Sequence, residues 1–199
     1  MTCVSGTSHW SVVRLESDDS DPLLVVVAHL PSKRNSGAGS QFGDVLALAS
    51  AIRDAESREG HDRTVLLGDL NQDPFEPGVV SSYGLHAVGD RRIAELGGRR
   101  VRGSDVPFFF NAMWNLYGDG RDGSPPATHR YWGSEPNSLF WHMYDQVLVR
   151  PSLLPLLRQV RIVDQVDGAP LLTDRGIPKP SDHLPVHAEL DPFVPGVLP

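Results

Sequence analysis

Thr64-Val65-Leu66-Leu67-Gly68-Asp69-Leu70-Asn71 drives an apolar run straight into a polar turn, and the fold is read outward from it. Thr64 to Leu67 predicts a buried strand. Residues two apart on an extended chain point the same way, so Asp69 and Asn71 should leave the strand end side by side. One is an anionic acceptor and the other a carboxamide that both donates and accepts. Such a pair suits holding a metal-bound water against a phosphate.

Upstream, Phe42, Val45, Leu46, Ala49 and Ile52 recur at helical spacing and predict a helix over 41–59, with Ser40 as N-cap and Gly60 as stop. Before it lies a Gly/Ser loop, Pro31 to Ser40, carrying Lys33 and Arg34. Leu23 to Leu30 is a continuous β-branched run, the pattern of a strand covered on both faces. Strand, helix and strand then make a crossover unit. His9 to Glu16 predicts one more strand, ended by a turn at Asp18-Asp19-Ser20-Asp21-Pro22. At 199 residues the chain fits one domain, over 1–199, in which about 70% of the unfolded surface can be buried.

Downstream, Asp105 to Tyr117 is apolar nearly all round and predicts a buried helix closed by Gly118. Residues 118–138, rich in Gly, Pro and Ser, read as a long loop, either disordered or a functional lid. Three further strands are expected, at about 139–149, 159–166 and 185–190.

In the first of these, Trp141, Met143, Asp145, Val147 and Val149 share one face, which makes Asp145 its one charge. A buried carboxylate costs several kcal/mol unless it is paired and hydrogen-bonded. His183 is the preferred partner, because an Asp–His pair fixes the imidazole tautomer and favours its protonated form. The alternatives are an arginine partner or a place at the wet strand end. In the last strand Val186, Ala188 and Leu190 take one face and His187 and Glu189 the other, so His187 reads as a surface residue. Asp182 and His183 precede that strand, and the prolines at 178 and 180 allow the bend that would turn both toward one site. Asp182 suits a hard cation, or alternatively an Asx turn. His29 closes the Leu23–Ala28 run and, beside Ser32 and Lys33, reads as a phosphate contact or as a satisfied structural histidine.

Net charge is −7 and the isoelectric point near 5.5, which argues against a surface that clings to nucleic acid everywhere but leaves room for a local basic groove. The single cysteine, Cys3, excludes an intramolecular disulfide. With no signal-peptide pattern and no long apolar run, a cytoplasmic, non-membrane protein is expected. Arg91, Arg92, Arg99, Arg100 and Arg102 form a basic stretch that either tracks a phosphate backbone or, by default, is a solvated loop. Tyr131, Trp132, Phe140 and Trp141 either stack bases or belong to the core. The glycines at 37, 39 and 43 do not have dinucleotide-loop spacing.

Four segments then occur in a recognisable order. They are His29-Leu30-Pro31-Ser32-Lys33, Gly68-Asp69-Leu70-Asn71 with Pro74, Tyr144-Asp145-Gln146-Val147-Leu148, and Ser181-Asp182-His183-Leu184-Pro185-Val186. Together they resemble the endonuclease/exonuclease/phosphatase superfamily of deoxyribonuclease-I-like phosphodiesterases, over about Leu23 to Leu190. The resemblance implies an α/β (α+β) four-layer sandwich of two mainly antiparallel or mixed β-sheets flanked by helices. It also implies Mg2+- or Mn2+-dependent hydrolysis of a phosphoester, nucleic acid included. Carried over, Asp69 orients or deprotonates the attacking water and contributes to the metal site, and Asn71 binds a phosphoryl oxygen. Asp182 is a metal ligand. His183, held by Asp145, stabilises the pentacovalent phosphate, which His29, Ser32 and Lys33 also contact.

Family members usually open with a strand ending in Asn and a strand carrying a metal-binding glutamate. Here the one glutamate ahead of Leu23 is Glu16, beside a turn. The resemblance therefore implies the back two-thirds of such a domain, truncated at the N-terminus. The alternative function is a non-catalytic fragment, or one subunit of a split enzyme, that keeps the pocket and binds a partner or complementing N-terminal half.

Overall fold

The structure, a computed structural model, describes residues 1–18, 20–32, 38–118, 124–134, 136 and 138–191. The first half runs β1 (Thr2–Gly6), β2 (Trp10–Ser17), β3 (Ser20–His29), α1 (Ala38–Glu59), β4 (Thr64–Asp69) and the short α2 (Pro77–Val80). Then come β5 (Ala87–Val88), α3 (Arg91–Ala94), β6 (Gly98–Val101), β7 (Ser104–Pro107), β8 (Phe109–Asn111) and a 3-10 turn over Ala112–Leu116. The remainder is β9 (His129–Arg130), β10 (Trp141–His142), β11 (Asp145–Val149), β12 (Leu157–Ile162), β13 (Gln165–Val166), β14 (Ala169–Pro170) and β15 (Val186–Leu190).

A seven-stranded mixed sheet in the order β1-β2-β3-β4-β11-β8-β5 forms the centre. The crossover expected around α1 is present: β3 and β4 pair in parallel, from Leu24 opposite Thr64 to His29 opposite Asp69. Helix α1 lays Val45, Leu48, Ala49, Ile52 and Ala55 on one face of the sheet, against Leu24, Val26, Ala28, Leu66 and Leu148. That i, i+3, i+4 stripe is what a core-facing helix requires, and each large side chain buried there contributes about 1.5–3 kcal/mol. Gly60, at φ +72°, ends the helix with its N–H on the Glu56 carbonyl. The opposite face carries Val65, Val147, Val149 and Phe110 into a second core, with Val160, Ile162, Val186, Ala188 and Leu190 of the β12–β15 sheet packed against it. The molecule is thus a mixed α/β sandwich of sheets with helix α1 outside. Across the second sheet, Val186, Ala188 and Leu190 turn inward while His187 and Glu189 are exposed, as their alternation predicts.

Several expectations are corrected. Asp21 and Pro22 do not interrupt the chain. They lie inside β3 at an irregularity opposite Glu16, where a proline is tolerated in a strand. Strand β3 is not covered on both faces. Val27 and its neighbour Leu67 are 47% and 37% exposed, because β12 and β15 cover only the β4–β11–β8 side. Residues 105–117 are not a helix. Phe109 and Phe110 form the buried strand β8, and Asn111 caps the following 3-10 turn by accepting from the Met113 N–H. A short apolar run does not distinguish a buried strand from a buried helix. The strand expected over 139–149 breaks at Met143-Tyr144, so Trp141 belongs to β10, and Asp145 opens β11. The basic stretch is solvated but not a loop: Arg99, Arg100 and Arg102 ride an exposed β6–β7 hairpin. Arg102 and Gly103, both at positive φ, make its two-residue turn.

Gly68 is needed by both backbone and neighbours. Its φ is +131°, and a Cβ there would sit 2.0 Å from the Ala28 carbonyl oxygen on β3. Gly68→Ala is expected to cost about 2–3 kcal/mol, read by urea denaturation, because the parallel pair must separate or the backbone strain. A midpoint unchanged from wild type would contradict the close approach.

Candidate active site

Four segments distant in sequence converge where β4 ends and β11 begins. Antiparallel pairing of β11 with β4 sets Asp145 directly opposite Asp69. His29 closes β3 in the parallel register with Asp69, and its Nε2 stands 3.7 Å from Asp69 Oδ2 with the ring 81% exposed. His183 donates from Nδ1 to Asp145 Oδ2 at 2.7 Å, the pairing preferred on sequence grounds, though Asp145 is half-buried at a strand start rather than enclosed by a strand face. Two carboxylates facing each other repel, and the histidines on either side offset that repulsion.

Asp69 and Asn71 do lie side by side, but not through an extended backbone. Asn71 takes a left-handed conformation at φ +49°, its N–H bonds Asp69 Oδ1 at 2.8 Å, and its Nδ2 donates to Asp69 Oδ2 at 3.1 Å and to the Leu30 carbonyl at 2.8 Å. Both amide hydrogens are thereby directed within the protein, and the atom Asn71 leaves over is its carbonyl oxygen. Beneath the turn, Gln41 of α1 donates to the carbonyls of Pro31 and Asn71, and Gln146 of β11 donates to the Gln72 carbonyl while accepting from Asn111 Nδ2. These buried amides fix the turn from below. Ser32 is half-buried in the loop after β3, and Lys33 and Arg34 lie outside the described residues.

Sequence reasoning passed over Asp73, Thr128, His129 and His142, and quoted Tyr144 only as part of a segment, without a role. Asp73 is buried, accepts from the Met143 N–H at 2.8 Å through Oδ1 and from His142 Nδ1 at 2.8 Å through Oδ2. This second Asp–His pair ties the segment leading into Asp145 to the Asp69 turn. Thr128 Oγ1 accepts from the Asp145 N–H, and its carbonyl accepts from the Leu184 N–H at 2.7 Å. Tyr144 stacks between His142 and His129, at ring-centroid distances of 4.7 and 5.4 Å, and His129 lies 4.3 Å from His183. The available signals were Asp73, two residues past Asn71, and the spacing of His142 from Asp145. The segment expected to be a long loop, either disordered or a functional lid, thus supplies β9 and part of the candidate site.

The electrostatics follow from this packing. Burial pushes the Asp69 carboxyl above its ordinary value of 3.8, the Asn71 N–H opposes that, and the facing Asp145 adds to it. The hydrogen bond from His183 to Asp145 raises the imidazole above 6.5 against the opposing effect of burial. Burial and the neighbouring His183 lower His129. The Tyr117 hydroxyl is pushed up to about 12, by burial and then by Asp73. A cavity of about 700 Å3 lined by Arg91, Phe110, Trp114, Leu157, Arg158 and Val160 contains none of these residues. Its lining includes Asp90 but no histidine.

No protein-family model matches the chain, and no curated protein matches it. Among solved structures, it is similar to a functionally unknown conserved protein of Enterococcus faecalis V583, at 17% identity and TM-score 0.48, over 92% of this chain and 55% of that one. It is similar to the 3'-5' exonuclease NExo of Neisseria meningitidis at 19% identity and TM-score 0.45, over 90% of this chain and 64% of that one. It is also similar to the inositol polyphosphate 5-phosphatase domain of a synaptojanin in complex with inositol (1,4)-bisphosphate and a calcium ion. That match has 17% identity and TM-score 0.48, and covers 91% of this chain and 49% of the other. The chain thus spans between about half and two-thirds of the length of these structures. A likeness this distant is one of chain path and assigns no activity. Among the described residues, no helix is long and apolar enough to cross a membrane.

Proposed function

We propose that this chain hydrolyses phosphoester bonds, as a nuclease or a phosphodiesterase/phosphatase. The observation that carries the reading is the 2.7 Å Asp145–His183 pair set across from Asp69, with His29 beside the same carboxylate. In this reading Asp69 orients and deprotonates the attacking water, and Asn71 holds Asp69 in position and offers that water its carbonyl oxygen. Donating to a phosphoryl oxygen as well would require Asn71 to release the Leu30 carbonyl. His183, kept protonated by Asp145, neutralises charge developing on the phosphoryl oxygens, and His29 and Ser32 contact the same phosphate. Lys33 is assigned there by sequence alone. Mg2+ or Mn2+ is the cofactor of this reading. Such ions are held by one or two carboxylates plus substrate phosphate and water, which fits the oxygens of Asp69 and Asp182. When bound, the ion supplies Lewis-acid neutralisation of the phosphate.

Beside His129, Arg130 stacks on Trp132 at 5.6 Å, and Trp132 packs on Phe140 at 4.7 Å, with the two rings 74% and 40% exposed. These aromatics are therefore not core. An exposed cationic and aromatic rim supports nucleic acid as the substrate, because every base has a face to stack. A cytoplasmic setting fits the single, exposed Cys3.

A second reading has its own observation: the exposed Val27–Leu67 pair on the inner sheet face favours a chain completed by a complementing subunit. Hydrolysis of bis-para-nitrophenyl phosphate during a Mg2+ titration separates the two. Turnover by the chain alone supports the first, and neither turnover nor Mg2+ binding by calorimetry supports the second.

The pH dependence is a further expected result. Asp69 must be ionised, so turnover rises as pH climbs through its raised value above 3.8. His183 must be protonated, so turnover falls as pH climbs through its raised value above 6.5. A bell with both limbs displaced upward is expected, and a profile flat above pH 6.5 would remove His183 from the reaction. In stability, the His183 contribution is fully present below about pH 6.5 and is lost as pH rises through the folded value.

A further inference from the structure

We infer that His129, Asp182 and His183 form a binding site for a borderline divalent transition metal, probed by Zn2+, which shares Asp182 with the Mg2+ site of the proposed function but adds two imidazole ligands. The site stands on its own geometry, and only its consequence for turnover rests on the proposed phosphoesterase. One ligand atom from each residue lies within 4.8 Å of the others, a convergence found nowhere else among the His, Cys, Asp and Glu of the described residues. Tetrahedral Zn2+ with bonds of about 2.0–2.2 Å spaces its ligands roughly 3.3 Å apart. Asp182 is the exposed member of the three, so its side chain has room to rotate toward that spacing.

The two imidazoles are already prepared as ligands. His129 donates from Nδ1 to the Asp182 carbonyl at 3.1 Å, and His183 donates from Nδ1 to Asp145 Oδ2 at 2.7 Å. In its neutral form each ring is thereby held in the Nδ1–H tautomer with Nε2 turned to a metal, which must displace the proton that His183 carries there when protonated. This is the arrangement metal-binding histidines adopt, with the second nitrogen held by a carboxylate or carbonyl. Backbone geometry holds the pair together. His129 and His183 form an antiparallel bridge, flanked by the Leu184 N–H to Thr128 carbonyl bond at 2.7 Å, and the rings lie 4.3 Å apart.

Two nitrogens and one oxygen discriminate by chemistry. Mg2+ and Ca2+ prefer carboxylate, carbonyl and water oxygens, whereas imidazole suits Zn2+, Cu2+ and Ni2+. Three protein ligands leave a fourth position for water or another oxygen donor. A metal on His183 Nε2 occupies the atom that would otherwise face the phosphate, so the bound state is a switched-off phosphoesterase.

The test is a Zn2+ titration of the full chain by calorimetry in excess Mg2+, repeated with Co2+ to read the visible absorption of a tetrahedral site. One saturable Zn2+ per chain is expected, weakened at least about tenfold in His129→Ala, His129→Gln and Asp182→Asn. His187→Ala, on the exposed face of β15, should bind as wild type does. Far-ultraviolet circular dichroism checks that each variant is folded. No saturable binding in excess Mg2+ would overturn the inference, as would undiminished binding by a folded His129→Gln chain. If the wild type hydrolyses the diester, turnover should fall over the same Zn2+ range as binding. If it hydrolyses nothing, the proposed function fails while the binding result still decides the metal site.

Discussion

Arg150→Ala is expected to cost about 3–5 kcal/mol of folding stability, the largest effect of any single substitution considered for this protein. Arg150 follows β11, and its guanidinium is buried. It meets Glu56 of α1 through Nε at 2.7 Å and Nη2 at 2.9 Å, donates to the Phe108 carbonyl at 2.9 Å, and lies 3.8 Å over the Phe109 ring. One side chain thus joins helix α1, strand β8 and the exit of β11. Removing it leaves the Glu56 carboxylate buried without its cation and unpairs the Phe108 carbonyl. For a chain of this size the loss corresponds to a fall of roughly 6–20 °C in melting temperature. Thermal and urea denaturation of Arg150→Ala, Glu56→Gln and a double Arg150→Met/Glu56→Leu variant provide the check. The double variant should regain most of the loss, since an apolar pair leaves no orphaned charge. A single-variant cost below about 1 kcal/mol would mean that the pair is solvated in solution.

His183→Ala should lower diester hydrolysis by about 10²–10⁴-fold, while moving the urea midpoint little. The ring is half-buried and bonded at one end to Asp145, so its removal frees a carboxylate that water can still reach. Its chemical loss is larger, because no other cation stands on Asp145 among the described contacts. Asp145→Asn separates charge from position. The ring keeps a neutral neighbour but loses the carboxylate charge that holds it protonated, and the new NH2 group can favour the other tautomer. That variant should lose turnover and also shift the alkaline limb of the pH profile downward. If His183→Ala stays within tenfold of wild type in turnover, the imidazole is not part of the reaction and the proposed function loses its main support.

These outcomes separate what was legible in the chain from what was not. Local pattern was enough for the β3–α1–β4 crossover, since a β-branched run, a 3.6-residue stripe and a second apolar run leave few ways to pack. His183 was the preferred partner of Asp145 on the premise of a charge on an apolar face; the pair is present, but Asp145 opens a strand instead. His187 fell on the solvent side because strand alternation leaves no choice. The pattern failed at Phe108-Phe109-Phe110, where three consecutive apolar residues have no period to read. It failed again at Tyr144, where a break between β10 and β11 ends the alternation. Thr128 and His129 were missed because they lie on a Gly- and Pro-rich segment, and nothing local says which strand it meets; His142 was missed because it faces away from the Asp145 side of the expected strand alternation.

The sequence by itself determined the types of chemical group present and the crossover that aims His29 and Asp69 in one direction, and it made His183 the preferred partner of Asp145. The crossover follows from local periodicity and the preference from the cost of burying an unpaired charge, while the structure alone showed the pair. Only the tertiary structure decided that Asn71 turns back through a left-handed conformation to hold Asp69. It alone set Asp145 opposite Asp69, brought His129 against His183, and left Val27 and Leu67 uncovered. Each of these depends on strand register and on how far one sheet covers another. Those relations between distant segments are fixed by packing, and no local pattern encodes them.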